Sequence, residues 1–343
     1  MRKPSVLKKG DRIAIVSLSS GLLGEDYCQH QLDLGIKRLE TMGLIPVYMD
    51  HALMGIEELA NHPDYRAADL KQAFMDDSIK GVICAIGGDD TFRLTEYLIH
   101  DEEFLKAVKT HPKLFTGFSD STNNHLLFYK LGMVSFYGPN FLSDLAELDV
   151  DMVPYTRASF ERFFQNDETY SLLSSPVWYE ERSDFSKNAL GTSRQSHRET
   201  KGIECLYGTN VVEGVLLGGC LESLCDGYTG ERYPHQKEVY ESFDLMPNKD
   251  EWVGKILFIE TSEETPTPDQ FYRYLFHLET HFVWEGIVGL IVGKPQNETY
   301  YDEYKTILTD FSKRYCVPTL YNVNFGHSYP RGIVPYGLKA QLN

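Results

Sequence analysis

The chain has 343 residues, 42% of them hydrophobic and 24% charged, with a formal charge of -17 at pH 7. That length accommodates two domains with separate cores, and the composition is that of a folded globular protein. The acidic balance excludes nucleic acid as a main partner, because phosphate binding needs a basic surface, but it leaves room for a small nucleotide-like ligand.

In chain order, "GDRIAIVSLSS" predicts a first strand. Its apolar core is too short for a signal peptide, no small-residue cleavage site follows, and no stretch approaches the roughly 18 apolar residues of a membrane span. Residues 27–42 read as a helix, "IPVYM" as a strand, 67–76 as a helix and "GVICAIGG" as a strand. A helix from Thr91, the strand-turn "KLFTGFSD", its helix and "MVSFYGPN" follow. Strands alternating with helices predict a mostly parallel, Rossmann-like or flavodoxin-like α/β domain over 1–165. Ligands of such sheets bind at the carboxyl ends of the strands, where "SLSSG", "IGGDD" and "GFSDS" are small or polar. The polar stretch 166–205 reads as a linker. Over 206–343 the alternation resumes through "VVEGVLLGGCLESL", "KILFIETSEE", "GIVGLIVGKP" and "VPTLYNVNFGHSYP", predicting a second, mixed α/β and barrel-like domain. The six cysteines are scattered with no CxxC pair, as expected of buried thiols in the reducing cytoplasm.

Four element ends carry candidate chemistry. In "TGFSDSTN", Ser119 follows a glycine-aromatic pair at a strand-to-helix turn, as at a nucleophile elbow, although Ser121 stands where G-x-S-x-G has its second glycine. The alternative is that Ser119 or Asp120 merely caps the helix. Gly87 and Gly88 end an apolar strand, either as a tight turn or as a backbone donor to an oxyanion. Glu260 stands where a buried strand emerges, fit to orient a histidine or simply to begin an acidic loop with Glu263 and Glu264. His327 lies in a loop rich in glycine and proline, as a rigidly held base or a structural histidine. Together they supply nucleophile, oxyanion loop, acid and base in the order Ser, Glu, His, which other hydrolases use. His277 and His281 are four apart in "HLETH", but Glu279 is misplaced for a zinc motif and no third ligand is evident, so no metal is expected.

The blocks "AIGGDDTFRLTEYL", "FTGFSDSTNNHL", "VEGVLLGGCLESL", "LFIETSEETPTP" and "NFGHSYPRGIVPYGLKA" resemble, in order, those of the LD-carboxypeptidase family of serine peptidases. The likeness spans nearly the whole chain. It implies Ser119 as nucleophile, Glu260 as orienting acid and His327 as base, with the backbone N–H groups of Gly88 and Asp120 as oxyanion hole and the site in a cleft between the domains. It implies no cofactor, and a homodimer. The family includes enzymes that release D-alanine from murein tetrapeptide and a microcin C self-immunity branch that cleaves peptidyl- or aminoacyl-nucleotides. "ETSEETPTPDQFYRYL" and "PYGLKA" are more similar to the second. Leu18 in place of a frequent proline, and Cys220 in place of asparagine, depart from the pattern. In that setting Trp178 is expected to stack on the substrate's planar group, against the alternative of anchoring the linker. A non-catalytic small-molecule binding protein is the rival of another class.

Overall fold

In the computed structural model, which describes residues 1–208 and 211–343, the first apolar run forms β1 (Arg12–Val16), whose Ile13, Ala14, Ile15 and Val16 are fully buried. It lies in parallel between β2 (Ile45–Tyr48) and β3 (Ile79–Cys84). Next to β3 come β4 (Leu114–Gly117) and then β5 (Ser135–Tyr137), both parallel. The order β2-β1-β3-β4-β5 is flavodoxin-like, and unbroken apolar strands are what a sheet covered on both faces requires.

The second half pairs β6 (Val177–Tyr179) with β7 (Ser196–Arg198) in a short antiparallel ribbon. Its larger sheet comprises β8 (Glu204–Tyr207), β9 (Val212–Cys220), β10 (Lys255–Glu260), β11 (Gly289–Gly293) and β12 (Thr319–Val323). After the short β13 (Val334–Tyr336), β14 (Lys339–Leu342) completes it. Strands β9-β10-β11-β12 are parallel neighbours, with β14 antiparallel on β9 and β8 antiparallel on β12. This sheet curls into a half-barrel, the mixed α/β, barrel-like class expected from the sequence.

The chain divides into two units, Met1–Tyr170 with Arg182–Arg194, and Ser171–Glu181 with Gln195–Asn343. The polar stretch 166–205 is therefore divided between them. Its Arg182–Arg194 part is tied down by charge: Arg182 Nη2 lies 2.6 Å and Arg194 Nε 2.5 Å from the buried carboxylate of Glu147. The cysteines correct one expectation. Cys28, Cys84, Cys220 and Cys225 are buried, but Cys205 and Cys316 are exposed: Cys205 lies within β8, an edge strand, and Cys316 caps the end of the helix Tyr301–Tyr315. Among the described residues no helix is long and apolar enough to cross a membrane.

Candidate active site

The first unit builds the turn around Ser119. Strand β4 is buried at all four positions and delivers the chain to Ser119, whose φ of 63° is a left-handed conformation rare outside glycine. Such strain persists only where surrounding bonds over-determine it. Here the Ser119 N–H donates to the Tyr137 hydroxyl at 3.0 Å, and the Thr122 hydroxyl donates to the Ser119 carbonyl at 2.7 Å. The sharp turn hands the chain through a short 3-10 segment, Ser119–Ser121, into the helix Thr122–Lys130. This is the geometry of a nucleophile elbow, with a serine at the carboxyl end of a strand and at the entry to a helix.

The glycine loop packs on that turn. A Cβ on Gly87 would fall 2.6 Å from the Ser119 Cβ and 2.9 Å from its Oγ, so only glycine lets the two loops touch. Gly88 follows with φ +128°. Asp120 is buried and holds both loops: its carboxylate accepts from the Thr91 N–H at 2.8 Å and from the Asn123 amide at 2.5 Å. The Thr91 hydroxyl donates to the Asp120 carbonyl at 2.8 Å. Burial, with Asp90 and Asp89 nearby, pushes the Asp120 carboxyl up to about 7 despite the Thr91 bonds. Ser121, Asn123 and His125 are buried beneath, and burial pushes His125 down to about 4, so it is a neutral core imidazole with its Nε2 on the Gly117 carbonyl at 3.0 Å.

Arg66 escaped the sequence reading. It is fully buried, grips Asp90 with bonds of 2.5 and 3.1 Å, and donates to the carbonyls of Leu18 and Ser19 at 3.1 and 3.2 Å. The signal was present: in the helix Pro63–Met75, Arg66 falls on the stripe shared by the buried Leu70, Ala73 and Phe74. An arginine on an apolar stripe needs a buried partner.

The second unit builds an imidazole–carboxylate pair. Strand β10 ends in buried Glu260, whose Oε2 lies 2.7 Å from His327 Nδ1 and also accepts the His327 backbone N–H at 3.0 Å. Gly326 permits this approach, since it has φ +84° and a Cβ there would sit 2.4 Å from the Glu260 carboxyl carbon. Arg331, buried and also unremarked in the sequence, donates to the carbonyls of Gly326 and His327 at 2.5 and 3.0 Å and so clamps the loop. Glu222 anchors the chain beyond β10, accepting from the Ser262 N–H at 2.9 Å and its hydroxyl at 2.8 Å. The other imidazole nitrogen, Nε2, lies 2.9 Å from Glu263 Oε2. Burial disfavours a charged His327, but Glu260 and Glu263 outweigh it and push the imidazole up to about 10. The bond to His327 holds Glu263 down at about 2.

Trp178 lies in β6, half-buried, stacked on His197 at 4.2 Å and with the Lys294 ammonium 5.0 Å from its ring centroid. The ribbon adjoins the histidine loop within the same unit, because the Tyr179 N–H donates to the Tyr329 carbonyl at 3.1 Å. Cys220 Sγ, a Glu260 oxygen and a His327 nitrogen lie within 4.8 Å of one another. Burial and the neighbouring carboxylates keep that thiol well above its ordinary range, and Glu260 and His327 already satisfy each other, so the set suits a hydrogen-bonded pair better than a metal. The imidazoles of His277 and His281 have different partners: His277 Nε2 lies 3.4 Å from Glu231 Oε1, whereas His281 Nδ1 meets the His277 carbonyl at 2.8 Å and its ring stacks on Tyr228.

A strained serine at an elbow and a buried carboxylate–imidazole pair are the components of a serine hydrolase. Comparison with known proteins gives the same class. Residues 13–138 match the LD-carboxypeptidase N-terminal domain and residues 213–342 the LD-carboxypeptidase C-terminal domain. The chain belongs to the LD-carboxypeptidase family of serine peptidases, as a carboxypeptidase-type hydrolase. It is 30% identical to a probable murein peptide carboxypeptidase of Bacillus subtilis, over 99% of this chain and 91% of that one. A crystal structure of an MccF-like protein from Streptococcus pneumoniae in complex with AMP is 46% identical, with a TM-score of 0.93 over 97% of this chain and 96% of that one. An MccF-like protein from Bacillus anthracis is 25% identical, with a TM-score of 0.80 over 99% and 95% of the two chains.

Proposed function

We propose that the chain hydrolyses the amide or acyl bond of a peptidyl- or aminoacyl-nucleotide, with Ser119 as nucleophile, His327 as base and Glu260 as its orienting acid. His327 takes the Ser119 proton as Oγ attacks the carbonyl, and Glu260 stabilises the imidazolium that forms. The backbone N–H groups of Gly88 and Asp120 receive the oxyanion, and His327 returns the proton to the leaving group. Water then releases the acyl-enzyme through the same base. No cofactor enters the reaction.

The observation that carries the mechanism is the Glu260–His327 bond of 2.7 Å, which fixes the imidazole orientation a general base needs. The substrate class is supported by the AMP bound to the 46% identical pneumococcal protein. Trp178, on the ribbon bonded to the His327 loop, is the stacking surface for the base in this reading; its ring already rests on His197, which presents a paired aromatic ledge. A second reading, release of the terminal D-alanine from murein tetrapeptide, is favoured by the name of the Bacillus subtilis relative. Product analysis on an aminoacyl-sulfamoyl adenosine and a murein tetrapeptide in parallel decides between them. Cleavage of the nucleoside alone is expected, and release of D-alanine alone overturns the nucleotide reading. A cytoplasmic location and a homodimer complete the proposal, and light scattering of the purified chain tests the dimer.

A further inference from the structure

His327 is held at both ring nitrogens. Glu260 Oε2 stands 2.7 Å from Nδ1 and Glu263 Oε2 stands 2.9 Å from Nε2. Two carboxylates can be served only by an imidazole that donates from both nitrogens, and such an imidazolium has no lone pair to accept a serine proton. Glu260 is buried, pinned by the backbone of the loop it orients, and has nowhere to go. Glu263 differs: its side chain is 65% exposed, on the loop that follows β10, and it meets the buried imidazole from the solvent side.

We propose that Glu263 is the group the substrate displaces: its carboxylate occupies Nε2 of His327 and yields that nitrogen when it turns to bind the free α-ammonium of an aminoacyl or peptidyl substrate. The inference rests on His327 being the base of the proposed reaction. Turning Glu263 out towards solvent forfeits its attraction to the imidazolium, and a cation on the ligand offsets that loss where water alone offsets it less. Glu260 and Glu222 are acidic, and the Cys220 thiol stays protonated. Arg331 is engaged with the Gly326 and His327 carbonyls, and Arg232, 3.5 Å from Glu264, is shared between the two loop carboxylates because it also favours ionised Glu263. When the ion pair opens, the Nε2 proton passes to solvent and the nitrogen becomes able to accept the Ser119 proton. Glu263 thus couples occupancy by a cationic substrate to activation of the base. It is a positioning and specificity residue whose neutral replacement frees the base permanently.

The test uses the full chain and three variants, Glu263→Gln, Glu263→Asp and His327→Ala, with melting curves to establish folding. The pH profile of Ser119 labelling by a small fluorophosphonate reads the base directly, without reference to the natural substrate. Glu263→Gln is expected to move the midpoint of that profile down by at least about one pH unit. Glu263→Asp, one methylene too short to reach Nε2, should fall between. Turnover of glycyl-sulfamoyl adenosine and of its N-acetyl derivative reads the ammonium. The wild type should prefer the free amine by about tenfold or more, and Glu263→Gln should lose that preference. An unchanged labelling midpoint in Glu263→Gln overturns the blocking role, and an unchanged amine preference overturns the ammonium role. If His327→Ala is labelled as fast as wild type, it is the base assignment that fails. A wild type that cleaves neither nucleoside overturns the substrate reading and the ammonium role together, while the labelling profile still decides the block.

Discussion

Ser119 has a backbone conformation that an ordinary helix cap does not need, since caps sit comfortably in the extended region. Ser119→Ala is therefore expected to abolish hydrolysis while leaving the melting temperature nearly unchanged; a variant that loses stability by about 1 kcal/mol yet keeps activity would mark a cap. Glu260→Gln preserves shape but removes the charge opposite the imidazolium, and turnover should fall by about four orders of magnitude, measured as product release at saturating substrate. The His327–Glu263 pair adds a pH dependence. His327 is raised from 6.5 to about 10, so its contribution to stability is complete below 6.5 and fades as pH rises towards 10. Glu263 is lowered from 4.5 to about 2, so its contribution is complete above 4.5 and fades as pH falls towards 2. The difference in melting temperature between wild type and Glu263→Gln should be widest between those limits, from pH 4.5 to 6.5, and should close on both sides. Glu263 itself read only as part of an acidic loop, because a sequence does not say which of several neighbouring carboxylates turns back onto an imidazole.

At the scale of elements, three strand-end loops share one set of buried bonds. Arg66 ties the Leu18–Ser19 carbonyls to Asp90, the Ser19 hydroxyl accepts from the Asp89 N–H at 2.7 Å, and Asp120 ties Thr91 to the Ser119 turn. Asp90→Ala leaves the Arg66 guanidinium buried with carbonyls alone. A loss of about 3 kcal/mol is expected in urea unfolding, together with slower labelling of Ser119 as the loops loosen. A loss within about 0.5 kcal/mol would mean that the carbonyls suffice. Strands and helices of this unit are readable from their apolar runs, because β1 and β3 are buried on both faces. The bonds among their loops are not, since partners such as Arg66 and Asp90 are far apart in the chain and carry no periodic signature.

Over the whole molecule, the first unit is discontinuous. Glu147 is buried within Met1–Tyr170, but two of the arginines that neutralise it, Arg182 and Arg194, arrive after the chain has passed through the other unit. Ending a fragment at residue 170 would strand that carboxylate. A fragment of residues 1–170 is therefore expected to be less stable than the full chain's first unit by several kcal/mol, about 3–5 for a broken buried pair, and addition of the 182–194 peptide should restore part of it. Equal urea midpoints for the fragment with and without that peptide would show that Glu147 finds other partners. The acidic surface implied by a net charge of -17 belongs to the same scale and bears on partners, not on fold.

What the sequence by itself determined is the layered α/β architecture and the candidate chemistry at its element ends. Apolar periodicity is a local property, and Ser119, Glu260 and His327 each stand in a local frame, at a glycine-aromatic turn, a strand exit and a glycine-rich loop. The branch of the family came from resemblance, not from spacing. Only the tertiary structure decided which carboxylate meets which nitrogen, that Asp120 and Arg66 bind the loops of the first unit, and that the polar stretch 166–205 is divided between two units. Each of these depends on contacts between residues tens of positions apart. Their energies come from burial and from partners that burial brings within reach, and neither is written in the spacing of the residues concerned.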